Sequence, residues 1–517
     1  MTHFSSIDTF AHMIYSPIPD EVAKKLVSDK IYSLEYAGGD SLSLDQPDVL
    51  WSYIPQVNTF SIELWLKSLS FLNPLLDEYT ASCDQSIRAC VTGIVRSYIP
   101  VCDGLIASSK LMNSKDHLMA TAVIVLIKTR EIFGEDWELR PDVERLLLRI
   151  GDYLSSNTLW IPGNHGVMID FALLHISAYL HNMEVVQFKR TALQRTGNQL
   201  ETMFDHEGFC FENSVGYFDF NLRLFDLVAR FCRFHAITSP ELTALDATLA
   251  KATEAIRHAV LPNGMTPIIG DSGLDMTGYS SLPGHRLFKR AGFFFYKTTS
   301  SFFSFNCGFA SSIHKHCDDA SLTLRYNEKD IFVDCGYYCY DRRDPIRAFV
   351  AGTQGHTGFF PIGFDNLTPP EYVQTVLRAS LNEVAHSEVD IALRGTISYQ
   401  DGTHVIRTVS GTLECLTIHD HWEHAQSRMR QRFVLHPHAH ADIQLCDGDY
   451  VVMITNGGVR AKLTVAAAGV ESINCGTGYY SEHYNTYEET TTLDIFPHDL
   501  PCGLIETRVE IIADSHD

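Results

Sequence analysis

The hydrophobic pattern changes its period once, between residues 262 and 284, and that change commits the chain to two differently built halves. From about Asn58 to Ala259 apolar residues recur at helical spacing, as in Ile62-Leu64-Leu66-Leu69 and then His117 to Ile132, Val143 to Leu154 and Val167 to Leu180. Gln187 to Phe204, Tyr217 to Phe234 and Leu242 to Val260 continue the series. Segments of this length with short polar breaks predict antiparallel helix pairs. Turn formers then cluster at Pro262-Asn263-Gly264, Gly270-Asp271-Ser272-Gly273 and Leu282-Pro283-Gly284. Beyond them lie short β-branched and aromatic runs: Phe293-Phe294-Phe295-Tyr296, Phe302 to Phe305, Leu322 to Leu324, Ile331 to Val333, Val405 to Val409, Arg432 to Leu435, Tyr450 to Ile454 and Leu504 to Ile512. With frequent turns and no long helix, they predict antiparallel sheets packed as a sandwich. The expected division is a helical domain over 1–275 and a sheet domain over 285–517.

The net charge of −23 opposes nucleic-acid binding, which needs a basic face. It also opposes a polyanionic ligand, so a polyanion would need a specific groove to overcome the long-range field. The start, Met1-Thr2-His3-Phe4-Ser5-Ser6-Ile7, has neither a basic nor an apolar secretory region, which leads to an expected cytoplasmic location with periplasmic or secreted as the alternative. The longest apolar run, Ala120 to Ile127, is well short of the ~20 residues of a membrane span. Thirteen cysteines are scattered without a CxxC pair, and Cys83, Cys90, Cys102, Cys210 and Cys232 read as buried free thiols in helical sequence.

Four motifs carry potential chemistry. Gly163-Asn164-His165-Gly166 opens an apolar helix, placing an amide, an imidazole and free backbone N–H groups where an anion could bind; an Asn-capped helix start is the plain alternative. Glu212-Asn213-Ser214-Val215-Gly216-Tyr217 opens another, with a phenol that is either a proton carrier or an ordinary aromatic contact. In His314-Lys315-His316-Cys317-Asp318-Asp319-Ala320-Ser321 the two histidines share a face if extended, and strand pairing would bring Asp334 beside His316. Gln354-Gly355-His356-Thr357 supplies one more imidazole. Imidazole plus carboxylate suits zinc, with exposed loop histidines as the alternative. His436-Pro437-His438-Ala439-His440 reads as a coincidental cluster. Arg223, Arg342, Arg343 and Arg347 are cleft candidates on charge alone.

In their order and spacing these motifs resemble the heparinase II/III family of polysaccharide lyases, from about residue 60 to the end. The resemblance implies an α+β multidomain fold, an N-terminal (α/α) toroid followed by a C-terminal antiparallel β-sandwich. It implies cleavage of a uronic-acid-containing polysaccharide or oligosaccharide by β-elimination. Asn164, with His165, would neutralise the uronate carboxylate; Tyr217 and His314 would exchange protons as acid and base. Glu212 and Arg347 would contact substrate. His316, Asp334 and His356 match metal-binding positions, usually holding a structural zinc. Gly163, Lys315 and Cys317 depart from residues common in relatives, and a Cys317 thiolate could compete for the metal. A non-catalytic glycan-binding protein is the alternative from another class. A glycoside hydrolase ranks last, with Asp170, Asp205, Glu207 and Glu212 as its available acids. No nucleic-acid partner and no membrane span are expected, and self-association into a homo-oligomer is compatible with the sequence.

Overall fold

The computed structural model describes residues 20–34, 40–54, 59–107, 116–158, 160–384 and 391–512. The stretch Met1 to Ile7, read for a secretory signal, lies outside the described residues. The chain groups into two compact units, one formed by Met1–Met203 with Asn221–Leu249, the other by Phe204–Phe220 with Ala250–Asp517. Relative to the division expected at 275–285, the segments 204–220 and 250–275 group with the sheets.

Helices come first. Asp116–Phe133, Arg140–Ser155, Asn164–Tyr179, Glu184–Met203, Val215–Phe234 and Pro240–Ala259 each match an expected segment to within a few residues. Asn164–Tyr179 is buried without interruption from Gly166 to Ile176, because it packs against both Asp116–Phe133 and Glu184–Met203. Sequence reasoning did not delimit the helix Gln85–Ala107, which has Pro100 inside it. It also did not foresee the hairpin pairing Ile31–Leu34 with Asp40–Ser43. Among the described residues Gln85–Ala107 is the helix long and apolar enough, by length and composition, to cross a membrane. Its Arg88, Arg96 and Asp103 pair with Asp136, Glu138 and Arg149 of the same unit, while Ile87, Val91, Ile94 and Val95 are buried on one face.

The second unit is antiparallel throughout its sheets. Five strands, Gly284–Phe288, Phe293–Lys297, Phe302–Asn306, Ser321–Tyr326 and Lys329–Phe332, pair in chain order. An eight-stranded sheet runs His440–Cys446, Asp449–Asn456, Val459–Ala466, Gly503–Ile512, Cys415–Glu423, His404–Gly411, Ile391–Tyr399, Val376–Glu383. Val470–Tyr480, Glu488–Pro497, Met429–Val434 and Phe359–Pro361 form a four-stranded sheet. One apolar core draws on all three sheets, with Phe303, Phe305, Leu393, Ile418, Phe433 and Leu493 fully buried.

Two details position the site. Phe293–Lys297 is covered on both faces: Phe294 packs on Phe303, while Phe293 and Phe295 lie 5.4 and 6.0 Å from Phe209, which fastens the 204–220 segment to the sheets. Inside the eight-stranded sheet Arg407 and Asp420 face each other at 2.6 Å, and Arg407 also donates to the carbonyls of Ala320 and Thr357. A guanidinium with no exposure is retained there because each of its three nitrogens has an acceptor, and it pins the loops bearing His316 and His356. All thirteen cysteines are unpaired; Cys102, Cys210 and Cys232 are buried as expected, whereas Cys83 is exposed at a helix end.

Candidate active site

Ser214 starts the construction. Its Oγ accepts the Tyr217 N–H at 3.2 Å, capping the Val215–Phe234 helix, and donates to the Asp271 carbonyl at 2.9 Å. Asn213, in the left-handed region at φ 53°, turns its amide to donate to the carbonyls of Ser311 and Ile313 at 2.7 and 2.8 Å. Gly270 has φ 60°, and a Cβ there would meet the Asn213 carbonyl at 2.5 Å, so only glycine fits the Gly270-Asp271 turn. Three segments distant in sequence are thereby tied together within the second unit.

The Asp271 carboxylate is the centre of what they build. Oδ1 accepts from Arg347 at 2.6 Å and from His316 Nε2 at 2.8 Å, and Oδ2 accepts from His314 Nδ1 at 2.8 Å. Burial alone would raise its pKa, but the Arg347 guanidinium and the two imidazoles hold it well below the usual carboxylate range. The Tyr217 ring stacks on His314 with centroids 3.4 Å apart, and its hydroxyl lies 2.6 Å from that of Tyr340. Burial, with the charges of Asp271 and Glu212 adding to it, pushes the Tyr217 phenol up, so it is held neutral. His314 itself sits at φ 53°, a conformation that non-glycine residues adopt rarely.

Of the residues expected to touch substrate, Glu212 is buried with Oε2 3.7 Å from His314 Nε2, so it faces the imidazole. Arg347 lines a cavity of about 630 Å3, but its guanidinium is taken up by Asp271 and by the Tyr337 carbonyl at 3.0 Å. The same cavity is lined by Asp271, His314, Lys315, Tyr340 and Arg342. Lys315 is buried against Asp318 and Asp319. Arg343 pairs with Asp341 in the open, and Arg223 is exposed on the helical unit.

His316, Asp334 and His356 come together, all buried, with one potential ligand atom from each lying within 4.8 Å of the others. The hairpin of Ser321–Tyr326 with Lys329–Phe332 delivers Asp334, in keeping with the strand-pairing argument. His356 Nδ1 donates to Asp334 Oδ2 at 3.0 Å. The buried nitrogens His316 Nδ1 and His356 Nε2 have no hydrogen-bond partner among the described residues. Two orphaned imidazole nitrogens beside a carboxylate fit a zinc-type ion, and the Asp271 bond to the far nitrogen of His316 is the carboxylate–histidine contact that orients metal ligands. The expected competition from Cys317 is not supported by its surroundings. Its Sγ is turned to the Leu367 carbonyl at 3.8 Å, and burial holds it as a thiol far above its usual pKa. His436 to His440 takes no part in this cluster.

Asn164 and His165 belong to the helical unit and are both partly exposed. Gly163, at φ 126°, occupies the cap position expected of Asn164, which becomes the first helical residue; its Oδ1 accepts the His165 N–H at 2.8 Å. Beneath them Gln199 accepts the Gly163 N–H at 3.2 Å and donates to Asp170, which also receives Trp160 and Arg195. Asp170 is therefore a buried structural acid. Asp205 is one too, accepting the N–H groups of Glu207 and Phe209 at 2.8 Å, and Glu207 pairs with Arg286 at 2.6 Å.

Sequence reasoning noted Asp271 only as part of a turn and Asn213 only within the motif ending at Tyr217, and did not mark Tyr340. Tyr340 carries no signal beyond the aromatic richness of Tyr337-Tyr338-Cys339-Tyr340.

Residues 281–511 match the family model "Heparinase II/III-like, C-terminal". A crystal structure of heparinase III covers 97% of this chain and 86% of its own, with TM-score 0.73 and 14% identity. Heparan sulfate lyase HepC from Pedobacter heparinus covers 98% and 85%, with TM-score 0.67 and 15% identity. No protein of curated description matches the sequence. The resemblance to heparinase II/III and the fold it implies, helices first and antiparallel sheets second, are thus borne out.

Proposed function

We propose that the protein is a polysaccharide lyase that cleaves a uronic-acid-containing polysaccharide by β-elimination, leaving a 4,5-unsaturated end. The observation that carries this reading is the stacking of the Tyr217 phenol on His314, at 3.4 Å, with His314 held by an ionised, buried Asp271. Asp271 accepts the Nδ1–H, which leaves a lone pair on His314 Nε2. In this reading Nε2 removes the proton from carbon 5, and Asp271 on one nitrogen and Glu212 near the other stabilise the imidazolium that forms. The carbon 4–oxygen bond breaks as the carbon 4–carbon 5 double bond forms, and the neutral Tyr217 hydroxyl supplies the proton to the departing oxygen. Tyr340, bonded to that hydroxyl, keeps it aimed. We assign the uronate carboxylate to Asn164 with His165, on the partly exposed helix start that carries them.

His316, Asp334 and His356 are proposed to hold a structural zinc ion, whose charge would fix the loop bearing His314. The hydrolase alternative is weakened by the structural engagements of Asp170, Asp205 and Glu207. The test is the ultraviolet absorbance of the conjugated uronate released from a panel of acidic glycans. Tyr217→Phe should lower turnover by about 10²-fold or more while the fold persists. A fully active Tyr217→Phe protein rejects the acid assignment, and binding without turnover across every uronate polymer favours the non-catalytic alternative.

A further inference from the structure

The cavity of about 630 Å3 beside His314 has a charge balance that bears on which uronate polymer enters it. Its two acids are spoken for: Asp271 by Arg347, and Asp365 by Arg430 at 2.6 and 2.7 Å. Of its cations, Arg347 serves Asp271 and Lys315 is surrounded by two carboxylates, Asp318 and Asp319. Arg342 is the cavity cation with no ion pair or hydrogen bond among the described residues, and it is exposed. The rest of the lining is neutral, with hydroxyl and amide groups from Ser312 and Asn366 and flat apolar surfaces from Tyr340, Pro369 and Pro370. Such walls suit sugar hydroxyls and the C–H faces of sugar rings. The chain's net charge of −23 adds a field that grows more unfavourable with every further anionic group on a ligand.

We infer that this cavity holds the sugars flanking the reacting uronate, that Arg342 pairs with the carboxylate of the next uronate along the polymer, and that the substrate is a polymer bearing carboxylates and no sulfates. The inference rests on the lyase reading and narrows it. A sulfated polymer carries two or more anions per repeat and meets one uncommitted cation. A polymer with one carboxylate per repeat leaves no anion unpaired at this subsite.

The experiment compares initial rates on matched pairs, N-acetylheparosan against heparin and unsulfated chondroitin against chondroitin 4-sulfate, for the full chain and for Arg342→Gln. The unsulfated member of each pair should be cut at least tenfold faster. Arg342→Gln should raise KM on it by about tenfold with kcat held, the effect of losing one charge-assisted contact. Arg343→Gln, one position along and paired with Asp341, should leave both constants unchanged. Equal or faster cleavage of the sulfated members overturns the inference while leaving the lyase reading intact. An unchanged KM in Arg342→Gln overturns the subsite. Absence of cleavage on these four polymers and on every other uronate polymer of the panel removes the lyase reading, and the inference with it.

Discussion

Replacing Asp271 by Asn is the most demanding perturbation, because three donors converge on a carboxylate that is 3% exposed. Asn keeps the shape but offers one acceptor oxygen. If that oxygen stays with Arg347 and His316, the new NH2 group faces His314 Nδ1 and drives the imidazole into its other tautomer. Nε2 then carries the proton and has no lone pair with which to accept one. The stability cost is that of removing one partner from a buried ion pair, about 3–5 kcal/mol. At about 2–4 °C per kcal/mol for domains of this order, Tm should fall by roughly 6–20 °C. Turnover, measured by unsaturated-product absorbance well below the variant's Tm, should fall by about 10²–10⁴-fold. An Asn variant with unchanged Tm and turnover within threefold of the parent would refute both the tautomer argument and the central place given to this carboxylate.

Two further outcomes are expected. His316→Ala should lower metal content and Tm more than it changes sugar binding, measured by elemental analysis, calorimetry and KM side by side; purified parent protein without zinc or another transition ion would remove the metal assignment. His175, fully buried with Nδ1 2.8 Å from the Phe171 carbonyl and its ring stacked on Phe231, is pushed down by burial from 6.5 to about 3. The unfolded chain takes up this proton below about pH 6.5 and the folded chain does not until about pH 3, so stability is lost as pH falls through that window. At pH 5 the loss is about 2 kcal/mol, readable as a urea-midpoint shift that His175→Phe should abolish; a shift that survives the substitution would show that other groups cause it.

Much of this architecture could be read from residue patterns, and the gaps have physical causes. Helix periodicity marked Asn164–Tyr179 and Val215–Phe234 because each buries a wide apolar face. Alternation failed to mark Cys415–Glu423, whose inward positions are Leu416, Ile418, Asp420 and Trp422, since an inward carboxylate makes sense only once Arg407 on the next strand is known. The helix Gln85–Ala107 was blurred by Gly93, Pro100 and Gly104 within it. The order of the histidine, tyrosine and asparagine motifs pointed to His314, Tyr217 and the cluster of His316, Asp334 and His356. Asp271 escaped because its partners lie 43, 45 and 76 residues away, and no local pattern encodes a carboxylate shared by three segments.

The Asn213 amide that clasps the carbonyls of Ser311 and Ile313 has an effect beyond geometry. Phenol and imidazole are brought together by a single compact body, anchored through Phe209 and the Gly270 turn, so their separation inherits the stiffness of the sheets. Under the proposed function, mutations in loops such as the one bearing Arg342 would alter which glycan is held without loosening that pair. In such a protein the taste for a polymer is free to drift over generations while the bond-breaking step stays put.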